Sequence, residues 1–258
     1  MNRLLPVLLA LLLCGGCVEK EVAPVEMALG TAAPTAHAAS CAMLAVAGDV
    51  FDCANVLQEC TTFPCDVEVE VEVSDDCPLP LMDGADGTVV VEGTWTSADS
   101  ATLSAAFAEV DVDDRGLVVV EAGAVNVTHD AAAGWTQVDY VDADIVVSDN
   151  REPFVGASAW SVDIDHAGSP DDPEDDVYVI DGASVVLVDS KNRDVFLSGV
   201  TLDPSCHQNP VSGDGTMITI NGARITTYDI EFHDACDGTF EVRKGGNPAM
   251  SVGLDLLD

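Results

Sequence analysis

Residues 66–73 read DVEVEVEV, an alternation of valine with acidic residues that decides the fold class. Successive side chains of an extended strand point to opposite faces, so the valines lie on one face and the carboxylates on the other. A strand with one buried face and one wet face is typical of antiparallel sheets, because parallel sheets are covered on both faces. The segment therefore predicts an antiparallel sheet with one face on a core.

Short runs of β-branched residues, separated by Gly, Asp, Asn and Pro, continue through most of the chain. Residues 98–109 are ambiguous, because Ser97 or Asp99 could cap a helix there, and we interpret them as a strand. The sequence thus predicts an all-β fold. The other predicted strands lie at 88–97, 117–129, 136–148, 157–166, 177–189 and 194–203.

Two segments align without a gap, VYVIDGASVVLVD (177–189) and MITINGARITTYD (217–229). Each has a turn-forming dipeptide between β-forming runs, Asp181-Gly182 in the first and Asn221-Gly222 in the second, and such dipeptides predict hairpins.

A weaker copy of these segments begins at Thr136, with Asp142-Ala143 in place of the glycine dipeptide. We expect an antiparallel meander that forms a sandwich or a barrel. The alternative is a β-solenoid with rungs of about 20 residues.

The N-terminus carries an export signal. Residues 1–17 read MNRLLPVLLALLLCGGC, in which Arg3 precedes an apolar run that is too short to span a bilayer. Gly15-Gly16-Cys17 resembles the lipobox of bacterial lipoproteins, although Cys14 stands where that family prefers Leu. The resemblance implies cleavage of residues 1–16 and diacylglyceryl modification of the Cys17 thiol.

The resemblance also implies a location. Val18 would be the second residue of the mature chain, where Asp is the family's signal for retention in the inner membrane. We therefore expect a cell-envelope protein held at the outer membrane by its lipid anchor, with the periplasmic or surface side left open. Residues 17–40 are rich in Ala and Pro and predict a flexible tether, with an Ala-rich helix as the alternative. Residues 41–258 would form one domain.

The chain is strongly acidic, with 46 Asp and Glu against nine Lys and Arg and a formal net charge of −37. Nucleic acid and bare anionic lipid headgroups are poor partners for such a surface. Solubility in a salty medium explains the charge, because screening makes dense like charge tolerable. Binding of divalent cations or of a basic partner is the alternative.

Seven cysteines follow Cys17, and an exported protein normally pairs them in disulfides. Five of them lie in residues 41–77, which we interpret as a small cysteine-rich cap with one or two short helices in residues 41–60. Cys206 and Cys236 lie at strand ends that the 221–222 hairpin brings together, and we predict a disulfide between them. Because seven is odd, one thiol is left over.

Candidate chemistry is sparse. Motifs of serine hydrolases, of phosphate-binding loops and of dinucleotide binding are absent, so we predict no enzyme and no cofactor apart from calcium. His129 and His233 precede predicted turns, where we expect exposed side chains. The segment SPDDPEDD offers the oxygen ligands that Ca²⁺ prefers. The candidate calcium ligands are Asp171, Asp172, Glu174, Asp175 and Asp176.

Two classes of function fit these features. The first is a non-catalytic interaction or structural module that meets a protein, a glycan or cations, and calcium-dependent adhesion is one variant of it. The second is a periplasmic carrier of an apolar ligand inside a half-open barrel. A carrier needs a hollow interior lined by apolar side chains, whereas an interaction module fills its core. We expect the interaction module.

Overall fold

The computed structural model describes most of the chain in one long helix and sixteen strands. The described residues are 5–48, 53–58, 60–74, 76–81, 84–106, 110–112, 116–117, 125–140, 143–148, 153–166, 175–188, 191–206, 209–234 and 236–253.

One helix, α1 (Leu5–Ala47), precedes the strands. Between Ala28 and Leu44 its side chains are buried on every side, and most are less than 2% exposed. Alanine has the highest helix propensity and the smallest side chain of the helix formers, so an Ala-rich helix can fit inside a sheet. Two threonine hydroxyls in this stretch donate to helix carbonyls, Thr31 to Met27 O at 2.9 Å and Thr35 to Thr31 O at 2.8 Å.

The strands follow in chain order and account for nearly all of the remaining described residues. They are β1 (Ala54–Val56), β2 (Cys65–Val73), β3 (Ala85–Ser97), β4 (Ser100–Ala106), β5 (Asp111–Val112), β6 (Gly116–Leu117), β7 (Val125–Asp130), β8 (Trp135–Tyr140), β9 (Ala143–Ser148), β10 (Pro153–Asp165), β11 (Val177–Val188), β12 (Lys191–Leu202), β13 (Pro210–Asn221), β14 (Arg224–Phe232), β15 (Thr239–Lys244) and β16 (Met250–Gly253).

The strands form an antiparallel meander, which confirms the predicted fold class. The hydrogen-bonded path runs β1-β2-β3-β4-β7-β8-β10-β11-β12-β13-β14-β15-β16, while β5, β6 and β9 pair off this path. Neighbours along the path are antiparallel throughout, whereas the rungs of a solenoid would stack in parallel, so the solenoid alternative is wrong. Strand β2 buries all four of its valines, as its alternation predicts.

The sheet is wrapped around α1. The helix contacts strands at both ends of the path, β1 and β16, and strands in its middle such as β7, β8 and β11. Within the described residues β1 and β16 stand at opposite ends of the path and do not pair, so the sheet stays open. The core therefore lies between the inner face of the sheet and the buried helix.

Residues 17–40 differ from the flexible tether that their composition predicts, because they belong to α1. A helix at a surface shows a 3.6-residue alternation of apolar and polar side chains, but a helix buried on every side has no polar face. The Ala-rich helix, which we weighed as the alternative, is the conformation of this segment.

The predicted hairpin at Asp181-Gly182 is wrong. Strand β11 runs straight through this dipeptide with a β-bulge between Ile180 and Gly182. In the weaker copy, the described strands on either side of Asp142, β8 and β9, both pair with β10. Asn221-Gly222 closes a hairpin, between β13 and β14. A glycine in a strand can thus mark a bulge as readily as a turn.

Three disulfides join described cysteines, and Cys41 is the described cysteine that is both buried and unbridged. In residues 41–60, where we expected one or two short helices, residues 41–47 are the last turns of α1 and Ala54–Val56 is a strand. The ambiguous stretch 98–109 contains β4, the strand that we predicted there. The disulfides are Cys53–Cys77, Cys60–Cys65 and Cys206–Cys236.

Candidate functional site: a buried polar cluster and two outer grooves

A cluster of polar side chains lies between α1 and the inner face of the sheet. Each of its members is at most 5% exposed, which is unusual for groups of this polarity. The cluster consists of His37, Ser40 and Cys41 from α1, His129 from β7, Thr136 from β8, His166 after β10, Asp176 before β11 and Tyr178 from β11.

Local geometry brings these residues together. His37 and Ser40 are three residues apart, so they share one face of α1. His129 and Thr136 are directly opposite each other in the β7–β8 pair. Asp165 pairs with Val177 where β10 and β11 meet, and therefore the next residue of one strand, His166, faces the residue before the other, Asp176.

A continuous chain of hydrogen bonds runs through the cluster. His166 Nδ1 lies 2.8 Å from Asp176 Oδ1, and His166 Nε2 lies 2.8 Å from Thr136 Oγ1. Thr136 Oγ1 lies 2.9 Å from His129 Nδ1. We assign His166 Nδ1–H as the donor to the carboxylate, the Thr136 hydroxyl as the donor to Nε2, and His129 Nδ1–H as the donor to Thr136.

His37 and Tyr178 tie the helix to the same network. His37 Nδ1 lies 2.5 Å from the Tyr178 hydroxyl. Burial lowers the pKa of His37 from 6.5 to about 4, so His37 is neutral at pH 7 and accepts the Tyr178 O–H. Burial and then the neighbouring Asp176 raise the pKa of Tyr178, which therefore stays protonated.

Ser40, His166 and Asp176 share the order of groups found in a nucleophile, base and orienting carboxylate. The Ser40 hydroxyl, however, is 3.5 Å from His166 Nε2, which already accepts the closer Thr136 hydroxyl. All three side chains are at most 2% exposed. Burial and then Asp176 raise the pKa of the Cys41 thiol, which keeps it in its less reactive protonated form. These groups lie between α1 and the sheet, shielded from solvent.

Three of the five candidate calcium ligands belong to a segment that the structure does not describe. Asp171, Asp172 and Glu174 lie outside the described residues. Asp176 is buried, and its Oδ1 accepts a hydrogen bond from His166 Nδ1 at 2.8 Å. No group of three or more His, Cys, Asp or Glu side chains among the described residues is arranged to hold a metal ion.

One of the two histidines that we expected to be exposed at turns is buried. His129 is only 3% exposed, since it faces the core from the end of β7. His233 is partly exposed, with Nε2 3.8 Å from Glu241 Oε1. Cys206 and Cys236, the pair for which the sequence predicts a disulfide, are bonded with Cα atoms 4.9 Å apart. Cys17 lies within α1, seven residues before the buried Pro24.

An open groove of about 390 Å³ lies on the outer face of β8, β10 and β11. Trp135, Gln137, Asp163 and Asp165 contribute to its lining, so it combines an aromatic ring with carboxylates. Partial burial, followed by Asp139 and Asp181, raises the pKa of Asp163.

A second groove of about 410 Å³ lies along β1, β2 and β3. Its lining includes three carboxylates, those of Glu70, Glu72 and Asp86. Both grooves are therefore acidic, as the net charge of the chain predicts.

Sequence reasoning did not find the buried cluster because its members are distant along the chain: Ser40 and His166 are 126 positions apart, and His37 and Tyr178 are 141. One signal was present. His37 and Ser40 stand three residues apart in an alanine-rich stretch, which would give them one helical face if the stretch were taken as a helix.

Comparison with known proteins gives no assignment: no family model, curated protein or solved structure matches the chain. Among the described residues, no helix has the length and the apolar character needed to cross a membrane.

Proposed function

We propose that this protein is a lipoprotein of the bacterial cell envelope, anchored through Cys17 at the outer membrane, whose β-rich domain is a non-catalytic interaction or structural module. The lipobox resemblance of residues 15–17 supports the anchor. The buried helix supports the nature of the domain, because the space inside the sheet is occupied by the chain's own residues.

The filled interior is the observation that carries this proposal. A carrier of an apolar ligand needs a cavity that buries most of the ligand. Here the inner face of the sheet packs on α1 through residues such as Leu29, Ala33 and Met43, each 0% exposed. Specific binding would then use the outside of the domain, and we favour the acidic grooves, which suit cations or a basic protein surface.

The absence of catalysis is also part of the proposal. Its support is the burial of Ser40, His166 and Asp176 between α1 and the sheet, in a network that His37 ties to the helix through Tyr178. Buried polar networks of this kind fix one packing arrangement when every member is satisfied.

Substitution of Cys17 tests the anchor. Cys17→Ser removes the thiol that would carry the lipid, so we expect the protein to move from the membrane fraction to the soluble fraction of the cell envelope, and a clickable fatty acid no longer to label it. Cys14→Ser is the matched control, because it removes a thiol from the same apolar segment. Its product should stay in the outer-membrane fraction and keep the label. Continued membrane retention of Cys17→Ser would refute the lipid anchor.

A further inference from the structure

The direction of α1 identifies the end of the domain that lies nearest to Cys17. Tyr140 O–H donates to Ala32 O at 3.1 Å, whereas Ser40 lies near His166 and Thr136. The four-residue step from Tyr140 back to Thr136 in β8 and the eight-residue step from Ala32 to Ser40 in α1 each span about 12–13 Å. Because α1 advances along the chain as β8 is followed backwards, the two elements run nearly antiparallel. We call the end of the domain on the N-terminal side of α1 the proximal end, and we call the opposite end the distal end.

The proximal end contains the turns between β11 and β12, β13 and β14, and β15 and β16. Along β11, eight residues separate Tyr178, which bonds His37, from Val186, which pairs with Arg193. This is roughly 26 Å of strand, or about 18 residues of helix. Arg193 is therefore level with about residue 20 of α1, close to Cys17.

Basic residues concentrate at this end in a chain that has few of them. Register places Lys191 at the end of β12 and Arg224 at the end of β14, the two strands that flank β13. Lys244 and Arg243 pair with Tyr228 and Asp229, a few rungs further in. All the lysines and arginines of the described strands belong to this group, which we call the basic sector. The basic sector consists of Lys191, Arg193, Arg224, Arg243 and Lys244.

The three strands of the basic sector hold its five cations against four carboxylates, whereas the other described strands carry no lysine or arginine. The four carboxylates are Asp194, Asp229, Glu231 and Glu241, and Asp229 lies directly opposite Arg243. Glu72 and Asp86 of the proximal end lie across the sheet on β2 and β3. At the distal end the described turns and strand ends carry carboxylates without a described lysine or arginine. These carboxylates are Asp99, Asp130, Asp165, Asp203 and Asp237.

The buried guanidinium of Arg193 indicates a site for an anionic ligand. Its side chain is only 5% exposed, and Nε has no hydrogen-bond partner in the structure. Its one described hydrogen bond is from Nη1 to the backbone carbonyl of Lys191, at 3.4 Å. A buried guanidinium normally pairs with a carboxylate or a phosphate, because an unpaired buried donor is costly.

Apolar side chains project beside the basic sector. Ile220 and Ile225 face each other at the β13–β14 turn and are 46% and 68% exposed. Met250, at the start of β16, is 40% exposed. Exposed apolar residues flanked by cations are typical of surfaces that enter the headgroup region of a membrane.

We propose that the basic sector and the Ile220–Ile225 turn bind the anionic headgroups of the membrane that holds the Cys17 anchor, so that the domain stands with its proximal end on the lipid and its acidic distal end outward. This inference rests on the proposed lipid anchor. The net charge of the whole chain repels such a membrane, but the five cations lie at the end that the anchor brings to the surface, and screening weakens the repulsion of carboxylates more than about 10 Å away.

Trypsin cleavage after Arg224 tests the contact. The full-length lipidated protein is reconstituted in vesicles of phosphatidylcholine alone or with phosphatidylglycerol, and cleavage is followed by mass spectrometry. We expect phosphatidylglycerol to slow cleavage at least about tenfold, and 0.5 M NaCl to reverse most of the effect.

Two double variants separate local charge from total charge. The substitutions Lys191→Gln and Arg243→Gln remove two exposed cations and leave Arg224 as the reporter. Affinity for the anionic surface should fall about 25-fold, given about fivefold for each cation, so most of the protection by phosphatidylglycerol should be lost. The matched control, Ala131→Glu with Ala132→Glu, changes the net charge equally at the exposed distal turn and should keep the protection. Circular dichroism checks that both variants fold.

The possible failures are distinct. Protein that does not float with the vesicles contradicts the lipid anchor itself. If the protein floats but trypsin cleaves it at the same rate in both vesicle types, whether that rate is fast or slow, the headgroup contact alone is overturned. Protection seen in native membranes but not in protein-free vesicles would assign the basic sector to a protein partner and also overturn the proposal.

Discussion

His37 shows how a single residue connects the N-terminal segment to the domain. In a flexible tether its imidazole would be exposed, but the structure places it in the core, where burial holds its pKa at about 4. Its Nδ1 bonds the hydroxyl of Tyr178, and this contact joins α1 to the start of β11. Protonation of His37 would therefore weaken the attachment of the helix.

The stability of the fold should fall as pH is lowered from about 6.5 to about 4. The unfolded chain binds a proton at His37 in this window and the folded chain does not, so the free energy of unfolding decreases with falling pH, by up to about 3 kcal/mol from this residue. Asp176, whose pKa burial raises, contributes with the opposite sign above its ordinary pKa. Urea unfolding at several pH values measures the sum.

Comparison with variants isolates the contribution of His37. His37→Gln keeps an acceptor for Tyr178 but does not titrate, so it should flatten the pH dependence. An identical slope in the parent protein and in His37→Gln would show that His37 is not buried as the structure describes.

At the scale of elements, two similar dipeptides have different roles. Asn221-Gly222 closes the β13–β14 hairpin, with Gly222 at φ +59° and open space where a Cβ would lie. Gly182 lies at a bulge inside β11 at φ +151°, where a Cβ would be 2.3 Å from the backbone oxygen of Ala159. The first glycine is needed for its backbone conformation, and the second also for the close approach of β10.

Gly182→Ala should therefore be strongly destabilising. The added methyl group would overlap the backbone of Ala159 and Trp160 in β10, and neither can move without disturbing the sheet. We expect a loss of about 3 kcal/mol or more in the free energy of unfolding, measured by denaturant titration. Gly253→Ala is the matched control, because nothing lies within 4 Å of its added Cβ, and it should change stability by less than about 0.5 kcal/mol. Equal effects would contradict the close contact at Gly182.

At the scale of the whole molecule, charge and core oppose each other. A formal net charge of −37 favours the unfolded chain, in which the carboxylates are further apart. The fold is stabilised by a core that includes both the inner face of the sheet and the buried part of α1. Salt should consequently stabilise this protein by screening the repulsion.

Raising NaCl from 0.1 to 1 M should raise the melting temperature by several degrees, because the screening length falls from about 10 Å to about 3 Å. A melting temperature that falls with salt would contradict the electrostatic account.

Thermal melts in millimolar CaCl₂ and in a chelator, at matched ionic strength, test the calcium loop predicted at 171–176. A site saturated about 100-fold over its dissociation constant would add roughly 2.7 kcal/mol. A calcium effect no larger than that of NaCl at the same ionic strength would contradict the calcium-dependent variant of the proposed function.

The sequence by itself determined the features that depend on local pattern. The alternation in residues 66–73 predicted a strand with one buried face, and the runs of β-branched residues predicted an antiparallel meander, because side-chain direction in a strand is fixed by position alone. The Asn221-Gly222 hairpin and the Cys206–Cys236 pairing followed from turn chemistry over a short stretch of chain.

Only the tertiary structure decided what lies inside the sheet. Residues 24–44 show no amphipathic period, because every side of the helix contacts the sheet. A helix without a polar face cannot be predicted from the alternation of apolar and polar residues. The His166–Asp176 pair, the bulge at Gly182 and the gathering of Lys191, Arg224 and Arg243 at one end likewise depend on which strands become neighbours. That choice is made by packing of distant segments around α1, which no local signal encodes.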